Sequence, residues 1–285
     1  MIENRPKNQK GVPKNRFDLL ALDVDGTLVD ETGEISTRLQ MALEHCQHLG
    51  MRICLCTGRP LAATERYLEA LNLHTPPVVF NGALVPSVNG GKPLVSRPLS
   101  HHTVQMVVRE AREYGDHLEL HTAGEYYVES MGSIGRRQAR KLGIEPVVAP
   151  FDDLWKEGEA LLKAQFIVRM EAQRRRLQAL DKRLKPKATL SWGVSPGFEG
   201  YFANVMCANV NKCVSLEVLL RELGIRWECV FAAGDSPSDL AYVQRAGCGV
   251  IMGGAPPETK HRALRIAPPA HKDGLAQIIE TFVLE

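Results

Sequence analysis

A short apolar run that ends abruptly in two carboxylates constrains this chain more than any other feature. Residues 17–24, FDLLALDV, read as a buried strand, and Asp23 and Asp25 fall at its end. Two residues apart in an extended chain, both side chains lean to the same face, and Gly26 then permits a sharp turn. The pattern predicts a rigid apolar strand that holds two carboxylates at its carboxyl end.

Helix and strand signals alternate in the segment that follows. Residues 36–50 and 59–73 have helical patterns, whereas 51–57 and 76–83 are short apolar runs typical of strands. Strand–helix–strand order favours parallel pairing with right-handed crossovers. This part of the chain is therefore predicted to form a parallel sheet whose strands are connected by helices.

After residue 85 the pattern changes to hairpins mixed with helices, and the simple alternation returns only from about residue 211. We predict a polar N-terminal tail (1–16) and a core made of two segments (17–86 and 207–285). The fold class is α/β, a Rossmann-like parallel sheet with helices on both faces. Residues 87–206, called the cap below, are predicted to be an inserted α+β domain with an antiparallel sheet.

The bulk composition excludes several functional classes. Lys and Arg number 35 against 33 Asp and Glu, so the net charge of +2 does not indicate a nucleic-acid or membrane partner. No apolar run approaches the roughly 18 residues of a membrane span, and the polar N-terminus lacks the apolar region of a secretory signal. The seven cysteines, an odd number, fit reduced thiols, and we expect a cytoplasmic protein, either a monomer or a homodimer.

Polar residues stand at several predicted strand ends, where parallel sheets bind ligands. They are Asp23, Asp25, Thr57, Gly58, Arg59, Asn81, Asp235 and Asp239, and Lys212 opens a helix before the last of these strands. Clustered carboxylates repel one another unless a cation lies among them, and Mg²⁺ prefers such oxygens. A helix start and a lysine are suited to phosphate. The set indicates phosphoryl transfer.

Structural roles remain open for several of these residues on the sequence pattern alone. Asp235 and Asp239 could cap the helix that follows them, and Thr57 could be a helix N-cap that also binds phosphate. Arg59 and Asn81 could face a substrate or support the fold.

Four motifs in order resemble those of the haloacid dehalogenase-like hydrolases: DVDGTL at 23–28, TGR at 57–59, Lys212, and GDSPSD at 234–239. FNGAL at 80–84 and the large α+β insertion are similar to the Cof-type subgroup with its C2-type cap. The resemblance covers nearly all of the chain after residue 16.

The resemblance implies a role for each matching residue. Asp23 would attack phosphorus and form an aspartyl-phosphate, and Asp25 would protonate the leaving oxygen and then activate water. Thr57, Gly58 and Lys212 would hold the phosphoryl oxygens.

The resemblance also implies a Mg²⁺ site. Its ligands would be the Asp23 carboxylate, the Asp25 backbone carbonyl and Asp235. Asp239 would support the metal shell or Lys212, with Ser238 beside it in a positioning role.

Three positions depart from the family pattern: Ser238 and Gly254 each replace an Asn, and Cys213 replaces a Gly. These departures could alter the fine positioning of the site residues, but they remove no metal ligand and no nucleophile. The sequence therefore predicts a Mg²⁺-dependent phosphatase acting on a small phosphorylated metabolite, with sugar phosphates the leading class. The alternatives are a phosphomutase of the same superfamily and a non-catalytic protein that binds a phosphorylated ligand.

Overall fold

The structure is a computed structural model that describes residues 16–157, 160–193 and 200–284. The predicted N-terminal tail, apart from Arg16, lies outside the described residues.

Strands in the described residues fall into two main sheets and a small hairpin. In chain order they are β1 (Leu19–Leu22), β2 (Arg52–Leu55), β3 (Leu84–Val85), β4 (Val95–Ser96), β5 (Leu118–His121), β6 (Tyr126–Val128), β7 (Val147–Val148), β8 (Lys163–Val168), β9 (Ala188–Gly193), β10 (Tyr201–Cys207), β11 (Val230–Gly234), β12 (Cys248–Met252) and β13 (Ile266–Ala267).

Helices connect and cover these strands. They are α1 (Thr37–His48), α2 (Leu61–Ala70), α3 (His101–Tyr114), α4 (Ser133–Leu142), α5 (Phe151–Glu157), α6 (Glu171–Leu184), α7 (Lys212–Leu223), α8 (Leu240–Arg245), α9 (Pro257–Lys260) and α10 (Gly274–Phe282). Within the described ranges, no helix combines the length and the apolar character that crossing a membrane requires.

The first sheet has five parallel strands in the order β13-β12-β11-β1-β2. Leu20 and Leu22 of β1 pack with α1 and α10 on one face, whereas Leu19 and Ala21 pack with α7 and α8 on the other. The predicted parallel core with helices on both faces is confirmed. Leu22 pairs with Ala233 on one side and Leu55 on the other, so the carboxyl ends of three strands lie together.

The second sheet has six strands in the order β7-β6-β5-β8-β10-β9, and its pairs are antiparallel except for β6 with β7. Helices α3 and α6 cover one face of it, through contacts among residues such as Val104, Leu120 and Leu177. The predicted separate antiparallel sheet is confirmed. The domain boundaries at 86/87 and 206/207 remain a prediction; β10 continues to Cys207.

The predicted strand at 76–83 is wrong: the segment contributes isolated bridges and a 3₁₀ turn but no strand. Val78 makes only an isolated parallel bridge to Cys56, and Phe80–Gly82 form a 3₁₀ turn. Phe80 and Asn81 have φ near +50°, and their N–H groups donate to the carbonyls of Arg59 and Thr57, both at 3.0 Å. The segment thus leaves the sheet because its backbone bonds to the loop after β2.

Gly82 is required where this turn meets the start of α7. Its φ is +102°, and a Cβ there would lie 2.4 Å from the carbonyl oxygen of Asn211. Gly90 also has positive φ, +77°, but a Cβ there would meet nothing within 4 Å.

We expect Gly82→Ala to lower the free energy of unfolding by about 1–3 kcal/mol more than Gly90→Ala does. Both variants carry the strain of positive φ, so the difference isolates the collision with Asn211. Urea denaturation followed by circular dichroism measures it. Equal losses would show that the close approach at Gly82 relaxes without cost.

Candidate active site

Asp23 is buried at the junction of β1 and β11. It is the first residue after β1, and its N–H donates to the Ala233 carbonyl at 3.0 Å, which extends the pairing of the two strands by one residue. Only 5% of the residue is exposed. The central strand therefore fixes the backbone that carries this carboxylate.

Lys212 reaches Asp23 from the first turn of α7. The helix begins there because the Asn211 side chain accepts a hydrogen bond from the Val214 N–H at 2.9 Å. The buried Lys212 Nζ donates to Asp23 Oδ1 and Asp239 Oδ1, both at 2.7 Å. The lysine that opens α7 is thus the centre of a buried ion cluster.

Asp239 links Lys212 to the loop after β11. Its Oδ2 accepts hydrogen bonds from the N–H groups of Asp235 (3.2 Å) and Ser236 (2.9 Å) and from Ser236 Oγ (2.6 Å). Although Asp239 occupies the N-cap position of α8, its side chain makes no cap hydrogen bond there. It therefore closes the GDSPSD loop and orients the lysine.

Three carboxylates crowd around the single ammonium of Lys212. Oxygens of Asp23, Asp235 and Asp239 all lie within 4.8 Å of one another. Burial raises the pKa of Asp23 above its usual range, and burial followed by the charge of Asp239 raises the pKa of Asp235 to about 7. A divalent cation would relieve this repulsion, so the donor set fits Mg²⁺. Because both Asp239 oxygens are already engaged, Asp23 and Asp235 are the carboxylates best suited to hold it.

Arg59 holds the side chain of Asp25. Its Nε donates to Asp25 Oδ2 at 2.9 Å and its Nη2 to Oδ1 at 2.7 Å, while its guanidinium lies 5.4 Å from the centre of the Tyr67 ring. Burial acts to raise the pKa of Asp25, but the hydrogen bonds and charge of Arg59 hold it below its ordinary value. This bidentate pair was not anticipated from the sequence; the only signal was the position of Arg59 at the end of the strand beside β1.

Thr57, Gly58 and Asn81 form one side of the site. Thr57 Oγ1 accepts a hydrogen bond from the Arg59 N–H at 3.1 Å, which leaves its hydroxyl hydrogen to donate elsewhere. The N-cap of α2 is Pro60, so Thr57 is not a helix cap. A Cβ on Gly58 would lie 3.0 Å from Asn81 Oδ1, so the Asn81 side chain covers this glycine. The structure brings together these three residues, as the sequence suggested.

Of the three departures from the family pattern, Ser238 lies in the loop that Asp239 closes, and Cys213 follows Lys212 in α7. Ser238 Oγ is 2.7 Å from Ser236 Oγ, and the Ser236 hydroxyl in turn donates to Asp239 Oδ2. Cys213 Sγ lies 3.8 Å from Arg245 Nη1, and a Cβ at Gly254 would meet only Pro269, at 4.0 Å. The bonds between Lys212 and the carboxylates involve none of them.

Comparison with known proteins gives consistent matches over nearly the whole chain. The family model described as haloacid dehalogenase-like hydrolase matches residues 20–279. A putative phosphatase of Bacillus subtilis, YxeH, is 26% identical, with 94% of this chain and 99% of the relative covered. The 5-amino-6-(5-phospho-D-ribitylamino)uracil phosphatase YitU of the same organism is also 26% identical, covering 93% and 97%.

Solved structures share the fold. A haloacid dehalogenase-like hydrolase from Bacteroides thetaiotaomicron has a TM-score of 0.84 at 25% identity and covers 93% of this chain and 99% of its own. A HAD subclass IIB sugar phosphatase has a TM-score of 0.75 at 22% identity, covering 93% and 98%.

The Lys212 contacts predict a large stability effect. In the absence of added metal, Lys212→Met should lower the free energy of unfolding by about 3–5 kcal/mol, because it leaves buried carboxylates without a compensating cation. Arg221→Met, on the same helix, removes only an exposed pair with Glu217 and should cost less than about 1 kcal/mol. Chemical denaturation of both variants measures the contrast, and similar losses would contradict it.

Proposed function

The chain belongs to the haloacid dehalogenase-like hydrolase family and is a phosphoric monoester hydrolase, and we propose that it acts on a small phosphorylated metabolite through Mg²⁺ and an aspartyl-phosphate. The observation that carries this proposal is the buried Lys212 bound to both Asp23 and Asp239, with Asp235 alongside. Sugar phosphates are the leading substrate class. Relatives named as phosphatases of a phosphorylated ribityl compound and of sugars support that class.

Asp23 is the proposed nucleophile. Lys212 holds one of its carboxylate oxygens, Oδ1, and orients the group on a rigid strand end. A carboxylate oxygen attacks phosphorus, the bond from phosphorus to the alcohol oxygen breaks, and an acyl phosphate remains on Asp23. Water then attacks and releases inorganic phosphate. A bound Mg²⁺, held by Asp23, Asp235 and the Asp25 carbonyl, would supply positive charge to the phosphoryl oxygens.

Asp25 is the proposed acid and base, with Arg59 orienting it. In the first step it donates a proton to the departing alcohol, and in the second it takes one from water. The Arg59 contact favours the ionised carboxylate, which suits the second step. The first step requires a protonated Asp25, and a bound substrate would have to weaken the Arg59 contact to allow it. Because Arg59 acts through the orientation of Asp25, it is proposed as a positioning residue.

Thr57, Gly58 and Lys212 are proposed to hold the phosphoryl oxygens, and Asn81 to line the adjoining space. The free hydroxyl hydrogen of Thr57 supports this role, as does the ammonium of Lys212. The cap, residues 87–206, is proposed to cover the site, exclude bulk water and select the substrate. The packing of Ala63 in α2 with Val128 and Leu142 supports a position of the proposed cap close to these loops.

Asp23→Asn tests the function directly. It keeps the shape of the side chain but removes the attacking charge, so release of inorganic phosphate from p-nitrophenyl phosphate with Mg²⁺ should fall to background. Asp18→Asn changes an exposed aspartate just before β1 and serves as the matched control, with activity retained. Turnover of Asp23→Asn near that of the unmodified protein would contradict the covalent mechanism. With a sugar phosphate as the substrate of the unmodified protein, an isomerised sugar phosphate in place of inorganic phosphate would indicate a mutase.

Asp235→Asn tests the metal site. Replacing an anionic ligand by a neutral one should weaken the apparent affinity for Mg²⁺ by more than about tenfold, since even outer-shell partners are worth that much. Activity should recover in part at high Mg²⁺. A titration curve that matches the Asp18→Asn control would remove Asp235 from the ligand set.

A further inference from the structure

The Arg59 guanidinium, which holds Asp25, is itself buried. Only 9% of the Arg59 side chain is exposed, whereas 41% of the Asp25 side chain is, so the guanidinium lies on the inner side of this pair. Its Nε and Nη2 donate to Asp25, but Nη1 is buried without a hydrogen-bond partner among the described residues. A buried charge with an unused N–H group requires compensation from another neighbour.

The aromatic ring of Tyr67 on α2 is such a neighbour. The guanidinium carbon of Arg59 lies 5.4 Å from the centre of this ring, within the range of a cation–π contact. Such contacts are stronger when both groups are withdrawn from water, and only 3% of Tyr67 is exposed. The ring therefore attracts the guanidinium independently of the charge on Asp25.

Tyr67 is held in place by hydrogen bonds at its hydroxyl group. The hydroxyl donates to the Gly33 carbonyl, in the loop between β1 and α1, at 3.2 Å and accepts a hydrogen bond from Arg66 Nη2. The guanidinium carbon of Arg66 lies 4.5 Å from the ring centre, and the ring belongs to the same apolar cluster as Leu22. The position of the ring is thus fixed by groups other than Arg59.

The proposed acid–base chemistry makes opposite demands on the contact between Arg59 and Asp25. The acid step needs this contact to weaken, because a protonated carboxyl attracts the guanidinium less than an ionised one does. The base step needs it again, because the contact favours the ionised carboxylate. A guanidinium held by Asp25 alone would be free to turn away between the two steps. A second contact that does not depend on the charge of Asp25 is therefore needed to keep it in place.

We propose that Tyr67 is a positioning residue for the acid–base chemistry, because its ring keeps the Arg59 guanidinium beside Asp25 while the carboxyl gains and loses its proton. The inference rests on the proposed function, in which Asp25 protonates the departing alcohol. It adds to the site a residue of α2 that lies outside the sequence motifs and acts only through Arg59.

The leaving-group dependence of the reaction tests the proposal. Phenyl phosphate and p-nitrophenyl phosphate have similar shapes, but phenolate is the poorer leaving group and depends more on a proton from Asp25. The readout is the value of kcat/KM for phenyl phosphate divided by that for p-nitrophenyl phosphate, measured with Mg²⁺ at a single pH. A loss of folded protein lowers both values equally and cancels in this ratio.

The variants separate the ring of Tyr67 from its hydroxyl and from its contribution to the core. Tyr67→Leu removes the ring, whereas Tyr67→Phe keeps the ring and removes only the hydroxyl. Phe17→Leu is the matched control, because it removes another buried ring of the same apolar cluster, next to the amino end of β1 and so away from the site. Asp25→Asn measures the full effect of losing the acid.

Tyr67→Leu should lower the ratio by about tenfold, the rate equivalent of one buried cation–π contact. Tyr67→Phe and Phe17→Leu should each change it by less than about threefold, and Asp25→Asn should lower it by more than Tyr67→Leu does. In an Arg59→Met background, Tyr67→Leu should have no further effect on the ratio, because the ring then has no guanidinium to hold. If Tyr67→Leu does not fold, Tyr67→Met, which has a longer unbranched side chain, takes its place.

If Asp25→Asn lowers the ratio but Tyr67→Leu leaves it unchanged, the role of Tyr67 is overturned and the phosphatase function stands. An equal fall in Tyr67→Phe or Phe17→Leu, or a fall that persists in the Arg59→Met background, would also overturn it. An unchanged ratio in Asp25→Asn would contradict the proposed acid role of Asp25. If the unmodified protein hydrolyses neither substrate with Mg²⁺, the proposed function is contradicted and the inference fails with it.

Discussion

The contact of Lys212 with Asp23 and Asp239 is the interaction on which the rest of the site depends. It joins residues 189 positions apart in the chain and so ties the segment before the cap to the segment after it. Because the ammonium is buried, the two carboxylates cannot exchange it for water, and removing it leaves both without compensation. Asp23, the loop after β11 and the start of α7 are thus held by one group.

The parallel sheet makes that contact possible. Leu22 is in register with Ala233 and with Leu55, so the residues that follow β1, β2 and β11 emerge at one edge. The backbone is close there: a Cβ at Gly26 would lie 2.2 Å from Asp235 Oδ2. Such close approach crowds the carboxylates and raises the pKa of Asp235 to about 7, mainly through burial and the charge of Asp239. The same crowding that makes the cluster electrostatically costly would favour a multivalent cation among these carboxylates.

Much of this arrangement could be predicted from the sequence because apolar runs and their polar ends are local patterns. Asp23, Asp235 and Lys212 stood at predicted element ends, and the sheet brings them together. The pairing of Arg59 with Asp25 could not be predicted, since it depends on which side chains meet across β1 and β2. Phe80 at positive φ was missed for a similar reason, because its apolar segment continues the pattern of a strand while tertiary hydrogen bonds bend it.

Asp23, held by Lys212, is proposed to become phosphorylated during turnover. Rapid acid quenching of the enzyme with Mg²⁺ and p-nitrophenyl phosphate, followed by trypsin digestion and mass spectrometry, tests it on the peptide of residues 17–38. We expect a transient phosphoryl group on Asp23 that forms and decays fast enough to carry the steady-state rate and is absent in Asp23→Asn. Release of product in the first turnover with no phosphoryl group on this peptide at any quench time would contradict it.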